Sequence, residues 1–322
     1  MRAIVQDEYG SSDDVLKLQD IDKPVAKDDE VLVQVHAAGV HIGDWLMMQG
    51  LPYPLRLAAG LSKPKNSVPG VDMAGSIEAV GENVTQFQPG DEVFGWSTSA
   101  FAEYVSVSED SVVPKPVNLT SEQAAAVPVS AITALQGIRD HGEVQTGQKV
   151  LIIGASGGVG TYAVQIAKSF GAEVTGVCST RNVDMVRSIG ADHVIDYTQE
   201  DITQGGQRYE VILDTAGNRS LSHLRRSLTP EGTLVLIGGS GGRWLMGAGR
   251  TVRASMLSPF VSQRLRSFLS KSTKEDLVVL KELIEAGKVT PVIDKTYGLS
   301  NAPEAFDHVG ARHTQGKTVI TV

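Results

Sequence analysis

Two rhythms of apolar position divide the chain. Over the first 120 residues the apolar runs are short and rich in β-branched residues, and Gly and Pro cut between them. EVLVQVHAAG (30–39) alternates apolar and polar residues over its first half, the period of a strand with one buried face. SVPGVDMAGSIEAVGENVTQFQPGDEVFG (67–95) continues with short runs between turns, and PGDEV places a turn directly before a further strand. This half predicts a compact β domain. From residue 121 the rhythm changes. SEQAAAVPVSAITALQGI starts with Ser121 as a helix cap, is rich in alanine, and is divided or kinked at Pro128. Apolar strands then alternate with helices through KVLIIGA, TYAVQIAKSF, EVTGVCS, VDMVRSIG, HVIDY, EVILDTAG, SLSHLRRSL and TLVLIGG. That alternation predicts a parallel, doubly wound sheet. After residue 275, DLVVLKELIEAGKV reads as a helix closed by Gly287, APEAFDHVG as another, and GKTVITV as a final strand. The fold class is α/β.

Composition narrows the possibilities. With 322 residues, 41% hydrophobic and 20% charged, the chain is long enough for two domains with separate cores. A net charge of −8 argues against nonspecific nucleic-acid binding. No stretch approaches the roughly 20 consecutive apolar residues of a membrane helix. MRAIVQDEYG lacks an apolar core of signal-peptide length, so no membrane partner and a cytoplasmic location are expected. The single cysteine, Cys178, excludes an internal disulfide and a Cys-rich zinc site, and reads as a buried strand residue. One basic stretch, Arg243 to Lys274, includes Arg250, Arg253, Arg264, Arg266 and Lys271. It reads as a solvated helical face, with a phosphate-facing arginine as the alternative.

The strongest chemical signal is LIIGASGGVGTYAVQIAK (151–168), an apolar strand running through a glycine-rich turn into a helix. Gly157 lets the chain turn tightly and approach a pyrophosphate, and Gly160 lets the helix pack close to the strand. The helix N-terminus, with Ser156, Gly158 and Val159, offers N–H groups and partial positive charge to phosphates. Ala155 stands where the first glycine of G-x-G-x-x-G is usual. In this strand–loop–helix context the motif predicts dinucleotide binding. The next strand ends VCSTRN, placing Ser179, Thr180 and Arg181 where an NAD-selective site has a carboxylate. Two hydroxyls and a guanidinium suit a 2′-phosphate, so NADPH is the expected cofactor. Arg181 as a solvated residue of the following helix is the alternative. Ala216, Gly217, Ile237 and Gly238 end later strands, where the cofactor crevice of such a sheet belongs.

The chain resembles the medium-chain dehydrogenase/reductase superfamily from MRAIV to GKTVITV. The resemblance is carried by AAGVHIGDW, VPGVDMAGSIEAVGENVTQFQPGDEVFG, AFAEYVSV, AAAVPVSAITALQ, GASGGVG, GADHVIDY and LIEAGKVTPVIDKTY. The branch it is most similar to is the zinc-free quinone oxidoreductase and enone reductase group. The resemblance implies a GroES-like β-rich catalytic domain over 1–122 and 275–322, and a Rossmann NADPH-binding domain over 123–274. It also implies a homodimer formed through the edge of the Rossmann sheet.

Zinc alcohol dehydrogenases of this superfamily place a metal-binding cysteine where this chain has His41, a histidine where it has Val71, and a cysteine near VPVSAIT. Their four-cysteine lobe is reduced to WSTSA. One histidine with a nearby carboxylate does not make a three-ligand catalytic site, so no metal is expected. Without a Lewis acid, an unactivated ketone is a harder hydride acceptor. A quinone or α,β-unsaturated carbonyl spreads the arriving charge by conjugation, and is the expected substrate. The enzyme need only orient the nicotinamide and supply a donor to the developing enolate.

Branch members have Asn-Pro at His41-Ile42, and the asparagine faces the nicotinamide. The resemblance therefore puts His41 beside cofactor and substrate, as a hydrogen-bond donor or a proton source; a histidine satisfied by loop backbone is the alternative. Asp44 caps the helix over WLMMQG or orients His41. Tyr53, in GLPYPLRL, matches cleft tyrosines and either donates to an enolate or packs. Thr133 matches a threonine that contacts the nicotinamide amide, and Tyr197 one that borders the adenosine ribose and 2′-phosphate. GLPYPLRLAAGLSKPKNS and GSGGRWLMGAGR are expected to shape the pocket. Two other readings stay open: a metal-free alcohol dehydrogenase or carbonyl reductase using His41, and a non-enzymatic NADPH-binding structural or sensor protein.

Overall fold

The computed structural model describes residues 1–203, 206–238 and 248–322. Arg243 and most of GSGGRWLMGAGR lie outside the described residues. In chain order the strands are β1 (Arg2–Val5), β2 (Lys17–Asp20), β3 (Glu30–Val40), β4 (Asp72–Val80), β5 (Glu92–Trp96), β6 (Tyr104–Ser108), β7 (Val112–Pro114), β8 (Lys149–Ile153), β9 (Glu173–Cys178), β10 (His193–Asp196), β11 (Tyr209–Asp214), β12 (Leu228–Leu236), β13 (Arg264–Ser267), β14 (Ile293–Gly298) and β15 (Lys317–Thr321).

One compact unit comprises Met1–Ile132, Ser272–Gly287 and Pro291–Val322. Among the described residues its sheet runs β14-β15-β3-β4-β5-β7, with β6 also on β3, and β1 and β2 form a separate ribbon. In the long strand β3 the valines Val31, Val33 and Val35 are buried; on the other face Gln34 is exposed and Leu32 is buried. These valines join a core that includes Met73, Ile77, Phe101 and Phe306. Phe101 and Phe306 meet edge to face at 5.5 Å. The unit extends past residue 122 to Ile132 because the helix Ser121–Ala125 packs on β3, where a Cβ on Gly39 would collide with the Ala125 carbonyl. That helix is capped by Thr120 rather than Ser121. Its hydroxyl accepts from the Gln123 N–H, and the Gln123 side chain returns to the Thr120 N–H. Pro128 starts a second helix, Pro128–Gln136.

The other unit, Thr133–Lys271 with Lys288–Thr290, holds the doubly wound sheet. Among the described residues it has six parallel strands ordered β10-β9-β8-β11-β12-β13. The chain winds outward from β8 to β9 and β10, then crosses to β11 on the far side of β8. The ends of β8 and β11 therefore mark the switch point at which such sheets bind ligands. Leu151, Ile153, Ile212, Leu234 and Leu236 form its core with Leu224. The α/β class, with a GroES-like domain and a Rossmann-type sheet, is as the sequence predicts. No helix among the described residues is long and apolar enough to cross a membrane.

Cys178 ends β9 and is buried, and burial pushes its thiol up to about 11. At pH 8 on the order of a thousandth of it is thiolate, the form that reacts. Iodoacetamide is expected to modify the folded protein far more slowly than the urea-unfolded chain, as followed by mass spectrometry. Equal rates would contradict this burial.

Candidate functional site

The loop after β8 is built on three glycines with different tasks. Gly154 has φ +82, and a Cβ there would lie 2.5 Å from Thr215 Oγ1. The tight turn is thus made by Gly154, one residue ahead of Ala155. Gly157 does not supply it, because its φ of −83 is open to any residue. What Gly157 provides is space: among the described residues a Cβ there would meet only the Gly154 carbonyl oxygen, at 3.4 Å. As N-cap of the helix Gly158–Ser169 it brings no side chain to the first N–H groups. Among the described residues those of Gly158 and Val159 have no acceptor, and they lie under the partial positive charge of the helix end. At Gly160 a Cβ would collide with the Gly154 carbonyl, so close helix–strand packing requires this glycine. The cradle fits a pyrophosphate.

Ser156 is tied to the end of β9 by Asn182, a buried residue whose Nδ2 donates to Ser156 Oγ at 2.9 Å and lies 3.4 Å from Ser179 Oγ. Ser179 precedes the short turn Thr180–Asn182 that carries Arg181. A carboxylate of the neighbouring strand β10 nevertheless reaches this place. Asp196, paired in register with Cys178, accepts from Thr180 Oγ1 at 2.5 Å. Its other oxygen accepts from the Thr198 N–H and hydroxyl at 3.0 and 2.8 Å. These bonds, that from Thr180 foremost, hold Asp196 below the usual carboxylate range. Tyr197 follows it, half exposed, with its N–H on the Cys178 carbonyl.

Asp214 gathers the residues expected along the far side of the crevice. It is fully buried at the end of β11, and its Oδ1 accepts from the Gly217 N–H at 3.0 Å. Its backbone oxygen accepts from Ile237 and Gly238 at 3.0 and 3.3 Å. Ala216, Gly217, Ile237 and Gly238 are thereby brought together. Its Oδ2 accepts from Arg250 Nη2 at 2.5 Å. Thr133 is buried in the same unit, and its hydroxyl donates to Ser270 Oγ at 2.9 Å.

In the other unit β3 delivers His41 to the start of the helix Ile42–Met48. His41 itself is the N-cap, a correction to Asp44 in that role. Its Nδ1 accepts from the Asp44 N–H at 3.3 Å, while Asp44 Oδ2 accepts from the His41 N–H at 2.9 Å. A ring nitrogen that accepts carries no proton, so the neutral imidazole bears its hydrogen on Nε2. Nε2 is buried and has no hydrogen-bond partner among the described residues; Asp44 Oδ2 lies 3.4 Å away without the alignment of a bond. Backbone satisfaction thus accounts for one edge of the ring and leaves the other as a donor. Burial raises the Asp44 carboxyl, against lowering by His41, with a smaller upward push from Asp72 and a downward one from Lys317. Asp72 and Lys317 form a buried ion pair at 3.0 Å. Asp72 also accepts from the Val129 N–H at 2.9 Å.

Tyr53 lies in the turn Tyr53–Leu55, its ring 5.1 Å from the Arg56 guanidinium, which also covers Tyr9 at 4.4 Å. Arg56 donates to the Gly50 and Gln49 carbonyls, fixing this loop. Among the described residues no three His, Cys, Asp or Glu side chains converge on a metal position.

Residues 27–117 match the alcohol dehydrogenase GroES-like domain, and residues 189–320 match the zinc-binding dehydrogenase family. The NAD(P)H oxidoreductase RTN4IP1, mitochondrial, of Bos taurus is 35% identical over 100% of this chain and 89% of its own length. The quinone-oxidoreductase QR1, chloroplastic, of Triphysaria versicolor is 31% identical over 99% of this chain and 98% of its own. The structure of the quinone oxidoreductase from Coxiella burnetii superposes with a TM-score of 0.87 at 28% identity, covering 100% of this chain and 99% of that one.

Proposed function

Since the chain belongs to the medium-chain dehydrogenase/reductase superfamily and is an oxidoreductase, we propose that it reduces quinones or α,β-unsaturated carbonyls with NADPH and without zinc. The observation that carries this reading is His41: where zinc relatives hold metal, it offers one buried N–H donor with no acceptor among the described residues. When bound, the nicotinamide supplies a hydride to the conjugated carbon of the acceptor. His41 Nε2–H donates to the acceptor's carbonyl oxygen, an interaction that strengthens as negative charge gathers there. Asp44 holds the ring by the capping box and keeps the donor on Nε2. Tyr53, stacked with Arg56, borders the acceptor.

For the cofactor, the glycine cradle takes the pyrophosphate, while Ser179 and Arg181 receive the 2′-phosphate. Asp196 is engaged by Thr180 and Thr198, so it is not offered to a ribose hydroxyl as an NAD-selective acid is. Arg181→Gln is expected to weaken NADPH about tenfold and leave NADH unchanged, the value of one charge-assisted bond. Fluorescence titration measures both, and an equal loss for the two cofactors would remove Arg181 from 2′-phosphate recognition. The substrate class is tested by NADPH oxidation against quinones, enones, simple ketones and aldehydes. Turnover of only the simple carbonyls would sink the reading.

A further inference from the structure

Arg250 is anchored by one corner of its guanidinium. Nη2 donates to Asp214 Oδ2, while Nε and Nη1 are buried and have no hydrogen-bond partner among the described residues. Such orphaned donors are rare in native proteins, because each forfeits a bond it had in water. Arg264 and Arg266 of the same basic stretch differ, since both pair with Glu143, at 2.9 and 2.7 Å. Where the fork sits matters. Asp214 is in register with Ile153 of β8 on one side and Leu236 of β12 on the other. Ile153 is the last residue before the glycine loop. The guanidinium therefore stands at the switch point of the sheet, on the side away from β9.

A dinucleotide in this crevice runs from the end of β9, which takes the adenosine ribose, past the glycine loop and over the ends of β11 and β12. We propose that Arg250 is a cofactor-binding residue that donates through Nε and Nη1 to oxygens of the nicotinamide mononucleotide half. This rests on the dinucleotide reading above and adds to it the group that holds the reactive half. The chemistry suits the task, as a guanidinium offers two parallel donors in a plane and stays charged at any working pH. Asp214 sets the plane of the fork, and through the Gly217 N–H it also fixes the turn after β11.

The test uses calorimetric titration of the full chain with NADPH, reduced nicotinamide mononucleotide and 2′,5′-ADP. Arg250→Lys keeps a charge against Asp214 but loses the fork. Arg250→Met combined with Asp214→Asn removes both charges, so that neither is left buried alone. Both proteins are expected to lose about tenfold or more in affinity for NADPH and the mononucleotide, and to bind 2′,5′-ADP as the wild type does. Either variant binding the mononucleotide with wild-type affinity overturns the assignment. So does a loss that extends equally to 2′,5′-ADP. Wild-type protein that binds 2′,5′-ADP but not the mononucleotide overturns it alone, whereas failure to bind any of the three overturns the dinucleotide reading with it.

Discussion

Lys317→Met is expected to lower the unfolding free energy by about 3–5 kcal/mol, the cost of leaving one member of a buried ion pair uncompensated. Asp72 and Lys317 are almost completely buried, and Lys317 Nζ lies 3.0 Å from Asp72 Oδ2. The other oxygen of Asp72 already takes the Val129 N–H, so that donor is committed and does not replace the ammonium. Space for a new one is short as well, because Gly39 is packed against this carboxylate. Urea unfolding checks the loss. Asp72→Asn combined with Lys317→Met is expected to lose less, since neither charge then remains in the interior. An unchanged urea midpoint for Lys317→Met would mean that the pair is not buried as described. The substitution also reaches the site. Burial already raises the Asp44 carboxyl, and Lys317 is one of the charges opposing that rise.

His41→Ala is expected to lower kcat by about 10²–10³, the usual cost of removing one donor to a developing oxyanion. It also strips the N-cap from the helix Ile42–Met48, at about 1 kcal/mol of stability. His41→Asn separates donation from proton transfer. Asparagine caps helices well and carries an N–H donor, but it delivers no proton. If His41 works as a hydrogen-bond donor, the asparagine variant keeps most of kcat; if it must release a proton, both variants fail alike. Gly43→Ala offers a gentler probe. Its Cβ would stand 2.7 Å from His41 Nδ1, pushing the ring without removing it. Stopped-flow reduction of a quinone by each variant distinguishes these outcomes.

The doubly wound sheet was legible because its central strands β8 and β11 are buried over most of their length and carry apolar runs, VLII and VIL. The glycine loop was legible for the same reason that it works: a strand, a turn and a helix follow each other within a few residues. What escaped was long-range or out of pattern. Asp196 reaches Thr180 only because parallel register sets β10 level with the end of β9. HVIDY, once recognised as the next strand, carried that information. His41 as a helix cap was hidden by the rule that favours Ser, Thr, Asp and Asn, although an unprotonated ring nitrogen also accepts an N–H. Gly154 stands one residue ahead of the G-x-G-x-x-G frame that begins at Ala155, so the motif does not point to it. Arg250 sits in a stretch whose charge pattern is that of any solvated helix. Its contact with Asp214, from a helix to the end of β11, exists only in three dimensions.

Isotope placement separates conjugate hydride transfer without metal from direct carbonyl reduction. Chelator-dialysed protein is given NADPH deuterated at the transferred C4 position together with an α,β-unsaturated ketone, and the product is read by NMR. A saturated ketone with deuterium on the β-carbon is expected, formed as fast as before chelation. An allylic alcohol with deuterium on the carbonyl carbon, or activity that returns only with stoichiometric zinc, would contradict it.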